Sequence, residues 1–166
     1  MIAGSAIKDF NFFIQWHLTE RCNLRCRHCY QERRKVQEMT ANEVKREIDG
    51  ATQMFQAWEE EHGIRVSPSI HFTGGEPFLR SDFADLAIAT VEECRPAVIT
   101  IPTNGLLTER IVQQMGRICA AAPHTQIGLN LSLDALGEAH DEIRQVPGNW
   151  RRAMATWEAL KALQPQ

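Results

Sequence analysis

A strand-like stretch followed by a segment of helical period occurs four times in this chain. The strand-like stretches are Phe10–Thr19, Ser69–Thr73, Ala97–Thr103 and Gln126–Asp134. After the first, Thr40 and Glu43 form a capping box, and Val44, Ile48, Ala51, Phe55 and Trp58 line one helix face. After the second, Ser81 is placed to cap a helix carrying Phe83, Leu86, Ala87, Thr90, Val91 and Cys94. Thr108 precedes the third helix, with Ile111, Met115, Ile118 and Cys119 on its apolar face. Pro147-Gly148 leads into the fourth, with Trp150, Met154, Trp157 and Leu160. A β-α unit repeated in this way predicts an α/β fold with a parallel sheet and right-handed crossovers.

The strands restrict the architecture further. A parallel sheet covered on both faces has strands that are apolar throughout. Here Phe12, Ile14, Trp16 and Leu18 alternate with Gln15, His17 and Thr19. Ile70 and Phe72 alternate with Ser69, His71 and Thr73. In the fourth strand Ile127, Leu129, Leu131 and Leu133 alternate with polar neighbours. The third, AVITIPT, is less clear. One face meets helices and the other meets something polar, as in a curved sheet that forms part of a parallel barrel with a wet or ligand-filled lumen. An antiparallel sheet with one face in water would alternate too, but the intervening helices argue against it. His17 and His71 then face the lumen as candidate pocket residues, although a lone strand histidine more often simply packs.

The first unit is longer than the others by the segment Cys22 to Met39, inserted where α/β proteins place their chemistry, at the C-terminal end of a strand. It holds three of the five cysteines, spaced C-x₃-C-x₂-C at Cys22, Cys26 and Cys29. An odd, bunched set does not suit a disulfide framework. It suits thiolate ligands in a reducing, cytoplasmic setting. A zinc ion would want a fourth ligand, either His28, awkwardly adjacent to Cys29, or His17. An iron–sulfur cluster takes thiolates as its usual ligands, and three of them leave one iron of a 4Fe–4S cube without a protein ligand. Cys94 and Cys119 lie on apolar helix faces and are expected in the core.

The segment CNLRCRHC resembles the C-x₃-C-x-aromatic-C signature of radical S-adenosylmethionine (radical SAM) enzymes, with His28 at the aromatic position. Three more stretches agree in order and position. HFTGGEPFLR is similar to the family's GGEP motif, TNGLL to its segment after the third strand, and LSLDALGEAHDEIR to its segment after the fourth. Ala135 stands where the family often has glycine. The resemblance implies that Cys22, Cys26 and Cys29 hold a 4Fe–4S cluster. Its open iron takes S-adenosyl-L-methionine, which one electron cleaves to a 5′-deoxyadenosyl radical that abstracts hydrogen from a substrate. It further implies cofactor contacts from His28, Gly74, Gly75, Glu76, Pro77, Asn104, Ser132, Asp134 and Arg144. Glycines allow close backbone approach, and a carboxylate such as Glu76 suits the cofactor's amine. Each of these residues also has a plainer reading as a turn, a strand end or a surface arginine. A phosphate loop is disfavoured, because it wants Lys-Ser/Thr after its glycines.

The family's usual core is a partial barrel of six βα units, and residues 1–166 supply about four, with 22–39 as the cluster loop. The chain is then a fragment or an unusually short protein, and the sheet edge after the fourth strand invites self-association or a partner chain. The wording QWHLTERCNLRCRHCYQ is most similar to members, including the SPASM group, that mature peptides, proteins or cofactors. No later cysteine set for auxiliary clusters follows. Arg21, Arg25, Arg27, Arg33, Arg34 and Lys35 make the loop basic, suiting an acidic electron donor such as reduced flavodoxin or ferredoxin. A net charge of −3 predicts no nucleic-acid partner, and no run is apolar enough to predict a signal or membrane segment. The competing expectation is an iron–sulfur or zinc module without catalysis, or a truncated remnant acting through a partner chain.

Overall fold

The computed structural model describes residues 9–31 and 37–163. Four parallel strands form the main sheet in the order β2 (Phe13–Thr19), β4 (Ser69–Gly74), β5 (Val98–Thr103) and β6 (Gln126–Leu131). The helices α1 (Ala41–His62), α2 (Phe83–Cys94) and α3 (Thr108–Ala121) make the crossovers. After β6 come α4 (Glu138–Arg144) and α5 (Asn149–Lys161). This is the βα repeat expected from the periodicity.

The alternation along the strands reports which face is covered. Ile70, Phe72, Ile99 and Ile101 are buried, with Leu18 beside them at the end of β2. They meet Val44, Ile48 and Phe55 of α1, Phe83 and Leu86 of α2, and Ile111 and Ile118 of α3 in one apolar cluster. β5 alternates as cleanly as the others: Ile99, Ile101 and Thr103 are buried, and the residues between them are half-buried. Thr40 caps α1 in the expected box, accepting from the Glu43 amide while the Glu43 carboxylate accepts from the Thr40 amide.

Several expectations are corrected. The first strand divides. β1 (Asp9–Phe10) leaves the main sheet and pairs in parallel with β3 (Arg65–Val66), a short strand outside the expected set. Ser81 caps nothing. Asp82 stands at the start of α2, where its carboxylate accepts from Arg80. The fourth strand stops at Leu131, so Leu133 is 44% exposed instead of facing the core. Cys94 is buried as expected, its thiol 3.4 Å from Thr52 Oγ1, but Cys119 is exposed.

The last helix corrects the apolar-face reading most clearly. α5 buries Asn149, Ala153 and Thr156, leaving Trp157 42% exposed. Its small residues allow close docking on the loop after β5. Thr156 donates to the Gly105 carbonyl at 2.6 Å, and a Cβ at Gly105 (φ +76°) would lie 3.1 Å from Ala153 Cα. The larger apolar residues of α5 therefore flank β6, the last strand of the described sheet, and line an apolar groove of about 400 Å³ with Met115, Leu129 and Leu131.

Candidate functional site

The C-terminal ends of the four strands meet around a cavity of about 230 Å³. Cys22, Cys26 and Cys29 line it from the loop after β2. Gly74, Gly75 and Glu76 line it from the end of β4, Asn104 from the end of β5, and Ser132 and Arg144 from beyond β6. His28 completes the wall. Residues far apart in sequence are thus gathered because parallel strands present all their C-terminal loops on one side. The apolar groove at β6 is roomier but lacks such convergent polar groups, so the strand-end cavity is the candidate site.

The cysteine loop is closed at its base by polar contacts. Thr19 Oγ1 donates to Glu38, whose carboxylate also accepts from Arg21 Nε at 3.1 Å. Arg80, only 4% exposed, donates from Nη1 to the Leu18 carbonyl at 3.0 Å and the Met39 carbonyl at 3.1 Å. Asp82 holds the other side of its guanidinium. Arg80 therefore joins the end of β2 to the residue that ends the loop. Sequence reasoning gave Arg80 no role. The available signal was an arginine closing a motif inside an otherwise apolar run.

Within the loop, the Leu24 amide donates to Cys22 Sγ at 3.4 Å, and the Cys29 amide to the Cys26 carbonyl at 3.2 Å. Burial pushes the Cys22 thiol above its ordinary pKa, opposed by the Leu24 N–H. A coordinating metal is what ionises such a thiol. Arg25 turns back onto the Cys22 and Leu24 carbonyls, and Arg21 is engaged by Glu38. Arg33, Arg34 and Lys35, the remainder of the expected basic face apart from Arg27, lie outside the described residues.

Besides lining the cavity, the GGEP segment holds the frame of the site together. A Cβ at Gly75 would lie 2.1 Å from the Arg21 carbonyl oxygen, and one at Gly74 would lie 2.3 Å from that of Thr19. The glycines admit the backbone of the cysteine loop. Two hydrogen bonds seal that seam: Gly75 N to Thr19 O at 2.7 Å and Glu76 N to Arg21 O at 2.8 Å. The Glu76 carboxylate is also engaged internally. It is 1% exposed and accepts from Thr103 Oγ1 at 2.9 Å, the Asn104 amide at 2.8 Å and the Phe78 amide at 3.4 Å. Burial pushes its pKa up to about 7 against the pull of these donors. In this structure Glu76 braces the ends of β4 and β5. Pro77 begins the short 3-10 helix Pro77–Leu79 and does not line the cavity.

Asp134 is likewise absent from the lining. Its carboxylate accepts from Arg144 Nη2 at 3.0 Å and lies 3.9 Å from His28 Nε2. Arg144 is 9% exposed on α4, which removes the surface-arginine reading. Asn104 donates to Asn23 at 2.8 Å and accepts from the Leu106 amide, so it is both a turn residue and a contact to the cysteine loop. His17 is exposed beside Glu20, and neither it nor His71 lines the cavity. Thr73 and Thr103, missed from the sequence, do. They are polar strand residues at C-terminal ends, which was the signal available.

Comparison with known proteins places this geometry. The model of the "Radical SAM superfamily" matches residues 16–165. The chain belongs to the radical SAM superfamily. The superfamily uses a 4Fe–4S cluster and S-adenosylmethionine. Among curated radical SAM relatives, Fe-coproporphyrin III synthase of Methanosarcina barkeri is 32% identical over 89% of this chain and 33% of its own length. Pre-heme d1 synthase of Dinoroseobacter shibae is 31% identical over 88% of this chain and 32% of its own length. The chain thus spans about a third of these relatives. Among solved structures, anSMEcpe with bound AdoMet superposes with a TM-score of 0.64 at 19% identity, covering 92% of this chain and 42% of that one. Streptococcus suis SuiB bound to its precursor peptide SuiA gives 0.62 at 21%, covering 98% and 32%. These structural likenesses establish the partial radical SAM barrel as the fold.

Proposed function

We propose that residues 1–166 form the cluster-bearing part of a radical SAM core, in which Cys22, Cys26 and Cys29 of the 22–39 loop ligate a 4Fe–4S cluster and the strand ends hold S-adenosylmethionine. The observation that carries this is the convergence of three thiols with the GGEP, Asn104, Ser132 and Arg144 segments on one cavity. The donor set fits the group. The thiols line the wall of a cavity, as a body several ångströms across requires, and one cubane iron is left without a protein ligand. When bound, the cluster and S-adenosylmethionine supply one-electron reductive cleavage to a 5′-deoxyadenosyl radical.

The chain's own residues build and shield that site. Gly74 and Gly75 let the cysteine loop lie against β4, Glu76 braces the ends of β4 and β5, and Arg80 fixes the base of the loop. Ser132, its amide bonded to the Thr103 carbonyl at 2.9 Å, lines the same cavity as Arg144 and would contact the cofactor there. His28 offers its ring or backbone at the exposed rim.

The substrate is a precursor undergoing maturation. Three curated relatives are named for haem-type products: Fe-coproporphyrin III synthase, pre-heme d1 synthase and AdoMet-dependent heme synthase. Their names favour the cofactor precursor among the peptides, proteins and cofactors that the sequence wording suggests. Reduced flavodoxin or ferredoxin is the proposed electron donor. Charge reversal at Arg33, Arg34 and Lys35 should slow reduction by the protein donor at low salt and leave chemical reduction unchanged. β6 and its apolar groove suit self-association or a partner chain, which sedimentation would detect as a species heavier than a monomer. Among the described residues no helix is long and apolar enough to cross a membrane.

The test is anaerobic reconstitution with iron and sulfide, reduction with dithionite, addition of S-adenosylmethionine, and an assay for 5′-deoxyadenosine. Formation that is lost in Cys26→Ala supports the proposal. A chain that takes up zinc but no iron and sulfide, or loads a cluster yet gives no deoxyadenosine, supports the binding-module reading instead.

A further inference from the structure

Arg144 ends α4, and its side chain is almost fully enclosed. Two of its guanidinium nitrogens face Asp134. Nη2 donates to Oδ1 at 3.0 Å, and Nε lies 2.5 Å from Oδ2, an ionic contact without hydrogen-bond alignment. The third nitrogen, Nη1, lies 3.6 Å from Cys26 Sγ with donor geometry. The same helix holds the neighbouring residue of the cysteine loop, because the Arg27 amide donates to the Ile143 carbonyl at 3.0 Å. The loop is therefore held from α4 at two adjacent residues, Arg27 by its backbone and Cys26 by its sulfur.

The fork is oriented from behind. The Asp134 amide donates to His140 Nδ1 at 3.3 Å, and His140 is fully buried. With Nδ1 accepting, the imidazole proton sits on Nε2 and is donated to Asn149 Oδ1 at 2.9 Å. Asp141 supports the next turn by accepting from the Gly148 and Trp150 amides at 2.6 and 2.7 Å. A continuous path runs from the start of α5 through His140, Asp134 and Arg144 to the sulfur of Cys26.

We propose that Arg144 is a positioning residue for Cys26: oriented by Asp134 and His140, it donates an N–H···S hydrogen bond to the thiolate and raises the reduction potential of the cluster that thiolate holds. This rests on the reading that the three cysteines ligate the cluster. Reduction adds one negative charge, shared over the sulfurs. A charged donor at 3.6 Å stabilises the reduced state more than the oxidised one. The guanidinium thus acts before any cofactor arrives, unlike a residue whose sole partner is the cofactor's carboxylate.

The test is a redox titration followed by electron paramagnetic resonance on the reconstituted chain without S-adenosylmethionine. At a fixed poise, Arg144→Gln should lower the reduced-to-oxidised ratio by about tenfold, a midpoint shift of about 59 mV for a one-electron couple. Arg144→Lys should recover part of it. Measured against wild type, that partial shift also serves if Arg144→Gln does not load a cluster. Equal midpoints in all variants, with weaker S-adenosylmethionine binding in Arg144→Gln, would overturn the proposal and confine Arg144 to the cofactor. A wild-type chain that binds no iron and sulfide would instead overturn the underlying cluster assignment.

Discussion

Gly75→Ala should damage the site without touching a cysteine. The added methyl would meet the Arg21 carbonyl oxygen at 2.1 Å, the Arg21 carbonyl carbon at 2.5 Å and the Cys22 amide nitrogen at 3.0 Å. The first contact is more than roughly 1 Å too short, and its partner is backbone that cannot swing aside. The loop must lift away from β4, straining or breaking the Gly75–Thr19 and Glu76–Arg21 hydrogen bonds. Overpacking costs about 1–3 kcal/mol, and each lost backbone bond about 1 kcal/mol. The sum is about 3–5 kcal/mol, or roughly 6–20 °C in melting temperature for a chain of this size. Gly50→Ala is the matched control. Gly50 is exposed in the middle of α1 with nothing within 4 Å of its added methyl, so alanine should stabilise by about 0.5–1 kcal/mol. Thermal melts of both variants, with iron uptake after reconstitution, make the assay. A Gly75→Ala protein that melts and loads iron like wild type would refute the close seam between the GGEP segment and the cysteine loop.

Other perturbations act on separate parts of the frame. Arg80→Met should cost about 3 kcal/mol in urea unfolding, because it strands the Leu18 and Met39 carbonyls and removes the partner of Asp82. An unchanged midpoint would mean the loop base is held otherwise. Thr40→Ala removes the α1 cap and should cost about 1 kcal/mol, read as a drop of roughly 2–4 °C in melting temperature. Glu76 gives a pH dependence whose sign is set by its raised folded pKa. The unfolded carboxyl ionises near 4.5 and the folded one at about 7, so its contribution is complete below about 4.5 and is lost as pH rises through about 7. The loss reaches up to about 3 kcal/mol, and the urea midpoint of the cluster-free chain should fall less steeply across this range in Glu76→Gln.

The βα order, the parallel sheet and the covered strand faces were legible because period 2 and period 3.6 report burial directly. The cysteine spacing and the GGEP motif likewise marked the place of the site. The roles of several residues were not legible, because they depend on contacts between distant segments. Glycines that admit a ligand and glycines that admit another loop look the same in sequence, and the approach of Arg21 shows that Gly75 does the second. Glu76 reads as a free carboxylate until Thr103 and Asn104 are seen to surround it. α4 escaped notice because seven residues are too short for a clear apolar stripe, and its buried side chains are His140 and Arg144. In α5 the apolar stripe misled, since the buried face is the small one that fits against Gly105.

The central claim is that three thiolates leave one iron of a four-iron cluster to S-adenosylmethionine. Mössbauer spectroscopy of the chain reconstituted with ⁵⁷Fe, with and without S-adenosylmethionine, addresses it most directly. The account predicts four cluster irons, one of which changes its isomer shift when S-adenosylmethionine is added. Four irons that all stay unchanged, or a chain that assembles no four-iron cluster, would contradict it.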